Sequence, residues 1–461
     1  MPTITLEENK TQSIFYLIIV ILAIFVFFIS YLLAQNALFG LGAAIILVTL
    51  IIFYQRPDIG IYLAIFSIIP GQLIRFQLEG GSGITLSDLI LPLLFLVWLL
   101  RKLVKREKIP SSHLGAFLLL FLAIAALSLL NGLRFIEIKE ALTPLFYLIR
   151  LVSYVGLFYI AADVFKSKRA IYVYKKIILI IFTFVAIAGL LQLIFFPSLK
   201  AFSRRGGWDP HIGRLFSTFL DPNFVGAFLV IGLIFILSFF FFSRTIEAKA
   251  VLGISIILVL TAIILTYSRS AYLFLLISFL VLGIYRSKKL ILFGALLLIA
   301  LAIIFPRTTA RIQGGFDIDA SAKYRFDSWE RATAIARDNS LLGVGYNAYR
   351  YAQIRYGYIT EKSYDQTSSG SDASLLTIFV TTGFFGLTAY LIFYVAAIKK
   401  SFDSFIHDKY WQKKVIALAI GAILPGLLIN SIFINSLLYP AIMIIIFSGL
   451  GIISIKHNER I

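Results

Sequence analysis

Apolar stretches of roughly helix-spanning length, separated by short polar turns, run along almost the whole chain. They lie at about 14–34, 37–54, 59–77, 86–103, 114–130, 141–165 and 174–196, and again at 222–243, 249–267, 270–285, 288–305, 373–398, 413–433 and 436–455. About 20 apolar residues wound as a helix cross the ~30 Å hydrocarbon core of a bilayer. The strict polar/apolar alternation that a closed barrel requires is not seen. The expected fold is an all-α polytopic membrane protein of about fourteen transmembrane helices. A chain that is 60% hydrophobic and 14% charged fits no soluble class.

Orientation follows from where short loops keep Lys and Arg, because such loops are retained in the cytoplasm. Every second connection is basic: Arg101 to Lys108, Lys166 to Lys176, Arg244 to Lys249, Arg286 to Lys289, Lys399 to Lys414, and the tail with Lys456 and Arg460. Both termini are then expected inside. The connections 197–221 and 306–371 face outward, as do the turns at Gly80 and Ser268. The leader carries Glu7 and Glu8 against Lys10, so the first stretch reads as an uncleaved anchor. The net charge of +19 is topology made visible and implies no nucleic-acid partner.

No repeat, linker or interrupted helix divides the chain, which reads as a single integral membrane domain, 1–461. The large loop 306–371 is expected to be partly helical. Tyr324 to Arg337 has the period of an amphipathic helix with Phe326, Trp329 and Ala336 on one side. A turn at Asn339 to Gly345 follows, then a second helical segment rich in tyrosine. The absence of cysteine excludes disulfides and thiol chemistry, and four histidines leave little from which to build a metal site. No cofactor or metal is expected.

Several charged residues break the membrane pattern. Lys200, Arg204, Arg205 and Arg214 sit on the side where positive charge is scarce, offset only by Asp209 and Asp221. Guanidinium forks there can hold phosphate oxygens of an anionic ligand, or pair with lipid headgroups or with acids of the large loop. Arg269 interrupts the apolar run 249–285, and an Arg near hydrocarbon costs at least ~2.5 kcal/mol unless compensated. A polar cavity or a snorkelling hairpin turn would compensate it. Arg150 lies within 141–165 and must bind phosphate or pair with an acid. Arg325 and Trp329, four apart, can stack on one helical face. Asp372 opens the stretch 373–398 as either a helix cap or a general base, and Asp88 reads as a cap. Gly343-Val344-Gly345 signals a turn. Asp317-Ile318-Asp319 imitates a metal-binding acid pair on a side where nucleotide sugars are not supplied.

Three segments together resemble the bacterial O-antigen ligase and O-antigen polymerase superfamily, whose shared region is called Wzy-C. Arg214-Leu215-Phe216-Ser217-Thr218-Phe219-Leu220-Asp221-Pro222-Asn223 is similar to the family's stretch before a membrane helix. Thr266-Tyr267-Ser268-Arg269-Ser270 resembles its Thr-x-Ser-Arg motif. Arg325, Trp329, Leu342-Gly343-Val344-Gly345, Asp372 and Gly383-Phe384-Phe385-Gly386 resemble its outer loop and closing helix. The resemblance spans about 200–390, including the outer loops 197–221 and 306–371, while 1–195 matches only as generic membrane helices.

The resemblance implies a GT-C-like glycosyltransferase in a bacterial plasma membrane. It would transfer an undecaprenyl-diphosphate-linked oligosaccharide, on the outer face, to an acceptor hydroxyl. It also implies a flippase and a chain-length regulator as partners beside the lipid bilayer. By motif position Arg214 and Arg269 would bind the diphosphate, Arg325 would be a third, and Asp372 could deprotonate the acceptor; Arg150, Arg204, Arg205 and Trp329, read from their own positions, are candidate substrate-binding residues. Family ligases carry a histidine, usually followed by asparagine, where this chain has Asp372-Ala373. That departure favours a polymerase of repeat units over a ligase acting on lipid A core, with His211 as a fallback base. A lipid-linked glycan transporter is the alternative from another class.

Overall fold

The computed structural model describes residues 24, 27, 37–77, 83–137, 140–200, 211–304, 320–360 and 370–454. Helices follow one another as α1 (Ala37–Gln55), α2 (Pro57–Phe66), α3 (Leu86–Val104), α4 (His113–Gly132), α5 (Leu142–Val164), α6 (Lys168–Phe195) and α7 (Pro222–Phe242). They continue as α8 (Ile246–Leu265), α9 (Arg269–Tyr285), α10 (Lys289–Ile304), α11 (Ala320–Asp338), α12 (Tyr349–Arg355), α13 (Ser374–His407), α14 (Trp411–Asn430) and α15 (Pro440–Ser454). Among the described residues the only sheet is a hairpin of β1 (Arg75–Gln77) and β2 (Gly83–Thr85), antiparallel, with Arg75 opposite Thr85.

Among the described residues seven helices, α4 to α8 with α13 and α14, are long and apolar enough to cross a membrane. The chain is therefore a multi-pass membrane protein. α7 is its axis: it is buried nearly all round and packs on α6, α8, α9 and α14. A helix that is apolar on every face belongs in the middle of a bundle. Elsewhere Leu119, Leu127 and Leu130 of α4 and Ile254 and Ile257 of α8 remain exposed, as a lipid-facing surface requires.

Two stretches depart from the spans expected of them. The stretch 59–77 does not form one helix: α2 has ten residues, about 15 Å long at 1.5 Å per residue, and then gives way to turns and β1. Pro70-Gly71 accounts for the break, since proline cannot continue the ladder and Gly71 takes a φ of +52°. The stretch 373–398 continues to His407 but is interrupted at Gly383, whose φ of +67° and ψ of −168° lie outside the helical region. Of the first stretch, 14–34, only Ile24 and Phe27 are described, and both are helical. Its leader lies outside the described residues.

The two ends of the bundle differ in chemistry. One end gathers the basic connections: Lys102 pairs with Asp163 at 2.6 Å and Glu107 at 2.8 Å, Lys166 with Asp163 at 2.8 Å, and Lys413 with Asp408 at 3.0 Å. At the other end lie the starts of α3, α7, α9, α13 and α15 and the loop helices α11 and α12.

Candidate functional site

The site is built on two helix starts. Asp221 caps α7, accepting from the backbone N–H of Asn223 at 2.7 Å and of Phe224 at 3.1 Å, with Pro222 at the first helical position. Leu220, just before it, is left-handed at φ +55°. Ser268 caps α9, and its Oγ also donates to Asn223 Oδ1 at 2.9 Å. The tips of α7 and the α8–α9 turn are thus tied side by side.

Arg214 completes that tie. Its guanidinium is buried, donating from Nε to the Thr266 carbonyl at 2.9 Å and from Nη2 to the Tyr267 carbonyl and Asn223 Oδ1, both at 3.4 Å. The next residue of the same loop, Leu215, donates its N–H to the Leu265 carbonyl at 2.9 Å. The turn so held carries Tyr267 at φ +50°, a conformation rare for a bulky residue, and delivers half-buried Arg269 as the first residue of α9. His211 is buried at the head of this loop, φ +40°. Arg204 and Arg205 lie outside the described residues.

Asp372 comes from the opposite wall. It does not cap α13: the position before the helix is Ala373, and Ser371 Oγ takes the Ala373 N–H at 3.4 Å. Ser374 anchors the helix start elsewhere, its N–H on the Ser431 carbonyl at 2.8 Å and its Oγ on the Ile434 carbonyl at 3.2 Å. The Asp372 carboxyl is left facing Arg325 and Asp221. Burial raises its pKa above the ordinary carboxylate value, Arg325 opposes that rise, and Asp221 adds to it. Trp329 does not stack on Arg325. Its ring meets Phe326 edge-on at 5.5 Å, and the guanidinium is within the electrostatic reach of Asp372 instead. The indole N–H of Trp329 is buried and, among the described residues, has no hydrogen-bond partner. Phe326 itself is exposed, so the buried face of α11 is formed by Ala332, Ile335 and Ala336.

Loop and membrane helix are joined through the break in α13. Val344 and Gly345 donate their N–H groups to the Val380 and Thr381 carbonyls at 3.0 and 3.1 Å. Phe384 and Phe385 donate to the Ser340 and Leu341 carbonyls at 2.7 and 3.3 Å. The backbone groups that the kink releases are therefore paired, which a helix break at membrane depth demands. Asn131 Nδ2 donates to the Gly343 carbonyl at 3.0 Å and Ser128 Oγ to the Thr381 carbonyl at 2.5 Å, so α4 braces the junction.

Arg150 resolves toward pairing. Its Nε lies 2.8 Å from Asp88 Oδ1, and its guanidinium lies 5.3 Å from the Tyr147 ring and 5.9 Å from that of Tyr154. Asp88 also caps α3, its Oδ2 accepting from the N–H and Oγ1 of Thr85 at 2.9 and 2.8 Å.

Residues with no clear signal in the sequence complete the wall. Tyr439, just before α15, stacks on Phe224 at 4.3 Å and receives the Gln72 amide at 3.5 Å. Gln72 comes from the break after α2, whose N–H bonds to the Thr218 carbonyl at 2.8 Å. Only the proline and glycine at 70 and 71 hinted at this return loop. Asp221 was visible in the sequence as part of an Asp-Pro-Asn stretch, a cap signature that hides its second role beside Asp372.

Residues 254–391 match the family model described as O-antigen ligase, Wzy_C. That region is similar to the O-antigen ligase family. The match covers under a third of the chain and contains Arg269, Arg325, Trp329, the Leu342–Gly345 turn, Asp372 and the broken helix at Gly383. Arg214 and Asp221 lie before it, yet Arg214 bonds to the turn at Thr266 and Asp221 lies within electrostatic reach of Asp372. No curated protein matches the chain.

Proposed function

We propose that the chain polymerises oligosaccharide repeat units carried on undecaprenyl diphosphate, on the outer face of a bacterial plasma membrane. The observation that carries this reading is half-buried Asp372 within electrostatic reach of Arg325 and of Asp221, whose helix start is tied to the turn from which Arg269 begins α9. A carboxyl whose pKa is raised by burial is a stronger base once ionised. Asp372 takes the proton of an acceptor hydroxyl as that oxygen bonds the anomeric carbon of the donor. The bond from that carbon to the diphosphate breaks, and its electron pair stays on the phosphate oxygen. Arg269 and Arg325 stabilise the growing charge there. Arg214 acts on Arg269 through the turn it clamps. The Trp329 indole N–H is positioned to donate to a sugar or phosphate oxygen.

Ligation to another acceptor is the second reading, favoured by the description of the matching family. The Asp372-Ala373 pair, where family ligases carry histidine and asparagine, favours polymerisation. The deciding experiment incubates purified protein in lipid with a polyprenyl-diphosphate-linked repeat unit, EDTA and no nucleotide. A ladder of longer lipid-linked glycans supports a metal-independent polymerase. Product only after adding a second class of acceptor supports ligation, and no product in either case removes both.

A further inference from the structure

The loop helices carry a surface that the transfer chemistry does not use. At the end of α11 the Tyr356 hydroxyl donates to Asp338 Oδ2 at 2.8 Å and accepts from Asn339 Nδ2 at 3.2 Å. Asn339 is itself fixed, its Oδ1 accepting from Arg134 Nη2 at 2.8 Å. Against this locked ring lies Tyr358, nearly parallel at 16° with centroids 6.2 Å apart, and exposed. Two aromatic faces in one plane direction, one of them open, are thus held beside an exposed carboxylate.

That surface is continuous with the site. Arg325 and Asp338 stand on the same helix, about 20 Å apart at 1.5 Å per residue. Tyr349, at the start of α12, lies within electrostatic reach of both Asp372 and Tyr358, so α12 bridges the same interval. A glycan of a few sugar residues whose reacting end lies at Asp372 would reach the tyrosines. Flat rings with polar groups at their edges suit such a ligand, because a sugar offers an apolar C–H face and a rim of hydroxyls.

We propose that Tyr356 and Tyr358, with Asp338 at their edge, form a binding subsite for the part of the glycan remote from the reacting bond. The subsite rests on the transfer reading for its purpose, and holding the chain there lets one polymer be extended repeatedly before release.

The test uses the full-length protein in nanodiscs and, as probe, free oligosaccharides of two to four repeat units released by mild acid from the host's lipid-linked donor. Saturation-transfer NMR should detect binding that Tyr358→Ala weakens about fivefold, the size of one aromatic packing contact, and Tyr358→Phe preserves. In the transfer assay Tyr358→Ala should shorten the ladder, and Tyr358→Phe should restore its length. Equal binding by wild type and Tyr358→Ala, or no binding by either, overturns the proposal. So does extra quenching of Tyr358→Trp over wild type by brominated lipid, which would put the ring in the bilayer. Binding that depends on Tyr358 in a protein that makes no ladder keeps the subsite and removes the polymerase.

Discussion

Arg214 is tied to the turn that presents Arg269: its Nε lies 2.9 Å from the Thr266 carbonyl and its Nη2 3.4 Å from that of Tyr267. A guanidinium so engaged fixes the strained turn from which Arg269 starts α9. In the proposed site the two arginines singled out by motif would divide the work, Arg214 positioning and Arg269 acting on substrate.

Their variants should separate accordingly. Lysine cannot reproduce a planar fork to several acceptors. Arg214→Lys should lower unfolding stability by ~1–3 kcal/mol as the buried carbonyls lose partners, with transfer falling alongside. Arg269→Lys should leave thermal unfolding in detergent unchanged and cut transfer by about 10²-fold. Equal melting losses in both would show that Arg269 is also part of the clamp.

The acid limb of the pH profile should report Asp372. Asp372→Asn should cost transfer about 10²–10⁴-fold with little effect on folding, since the side chain caps nothing. The base works only when ionised, so transfer should fall as pH drops through a pKa that burial has raised above the usual carboxylate value. Arg325 opposes the rise, so Arg325→Gln should move the limb to higher pH. Asp221 adds to it, so Asp221→Asn, which can still cap α7, should move the limb to lower pH. A limb unmoved by either change would exclude Asp372 as the titrating group.

Hydropathy located α7 to within a residue of its ends, at 222–242, because lipid length and apolar content alone set such a span. Amphipathic period likewise placed α11 over Tyr324 to Arg337, where the helix runs Ala320–Asp338. What the sequence hid was decided by neighbours distant in the chain. Gly343-Val344-Gly345 looked like an ordinary turn because its partners, the Val380 and Thr381 carbonyls, exist only once α13 breaks. Asp372 looked equally suited to capping, and Ser371 and Ser374 took that work through the 431–437 loop. The Arg325 and Trp329 spacing allowed a stack that the carboxylate across the site outcompetes.

The Arg150–Asp88 pair should behave as a buried ion pair. Asp88→Asn would leave the guanidinium beside a neutral partner and should destabilise the protein by ~3–5 kcal/mol. Pairing it with Arg150→Met should recover most of that loss, read by thermal unfolding, and leave transfer detectable. A double variant that folds but has no transfer would move Arg150 from structure into substrate binding.

Gly383 gives the sharpest test of the junction between loop and membrane. A Cβ there would lie 2.2 Å from the Leu341 carbonyl oxygen, and a φ of +67° with a ψ of −168° is a region essentially reserved for glycine that costs other residues about 1–3 kcal/mol. Relief requires either straightening α13 or lifting the Leu342–Gly345 turn, and both break the four backbone bonds that join them. Gly383→Ala should then expose the 339–360 segment to protease in the membrane-embedded protein and lower transfer, because the junction is one of the ties between α13 and the loop that follows α11. Gly253→Ala on α8, where nothing lies within 4 Å of the added methyl, is the control and should gain up to about 1 kcal/mol from helix propensity. Unchanged proteolysis and full transfer in Gly383→Ala would mean that α13 can run straight without disturbing the site.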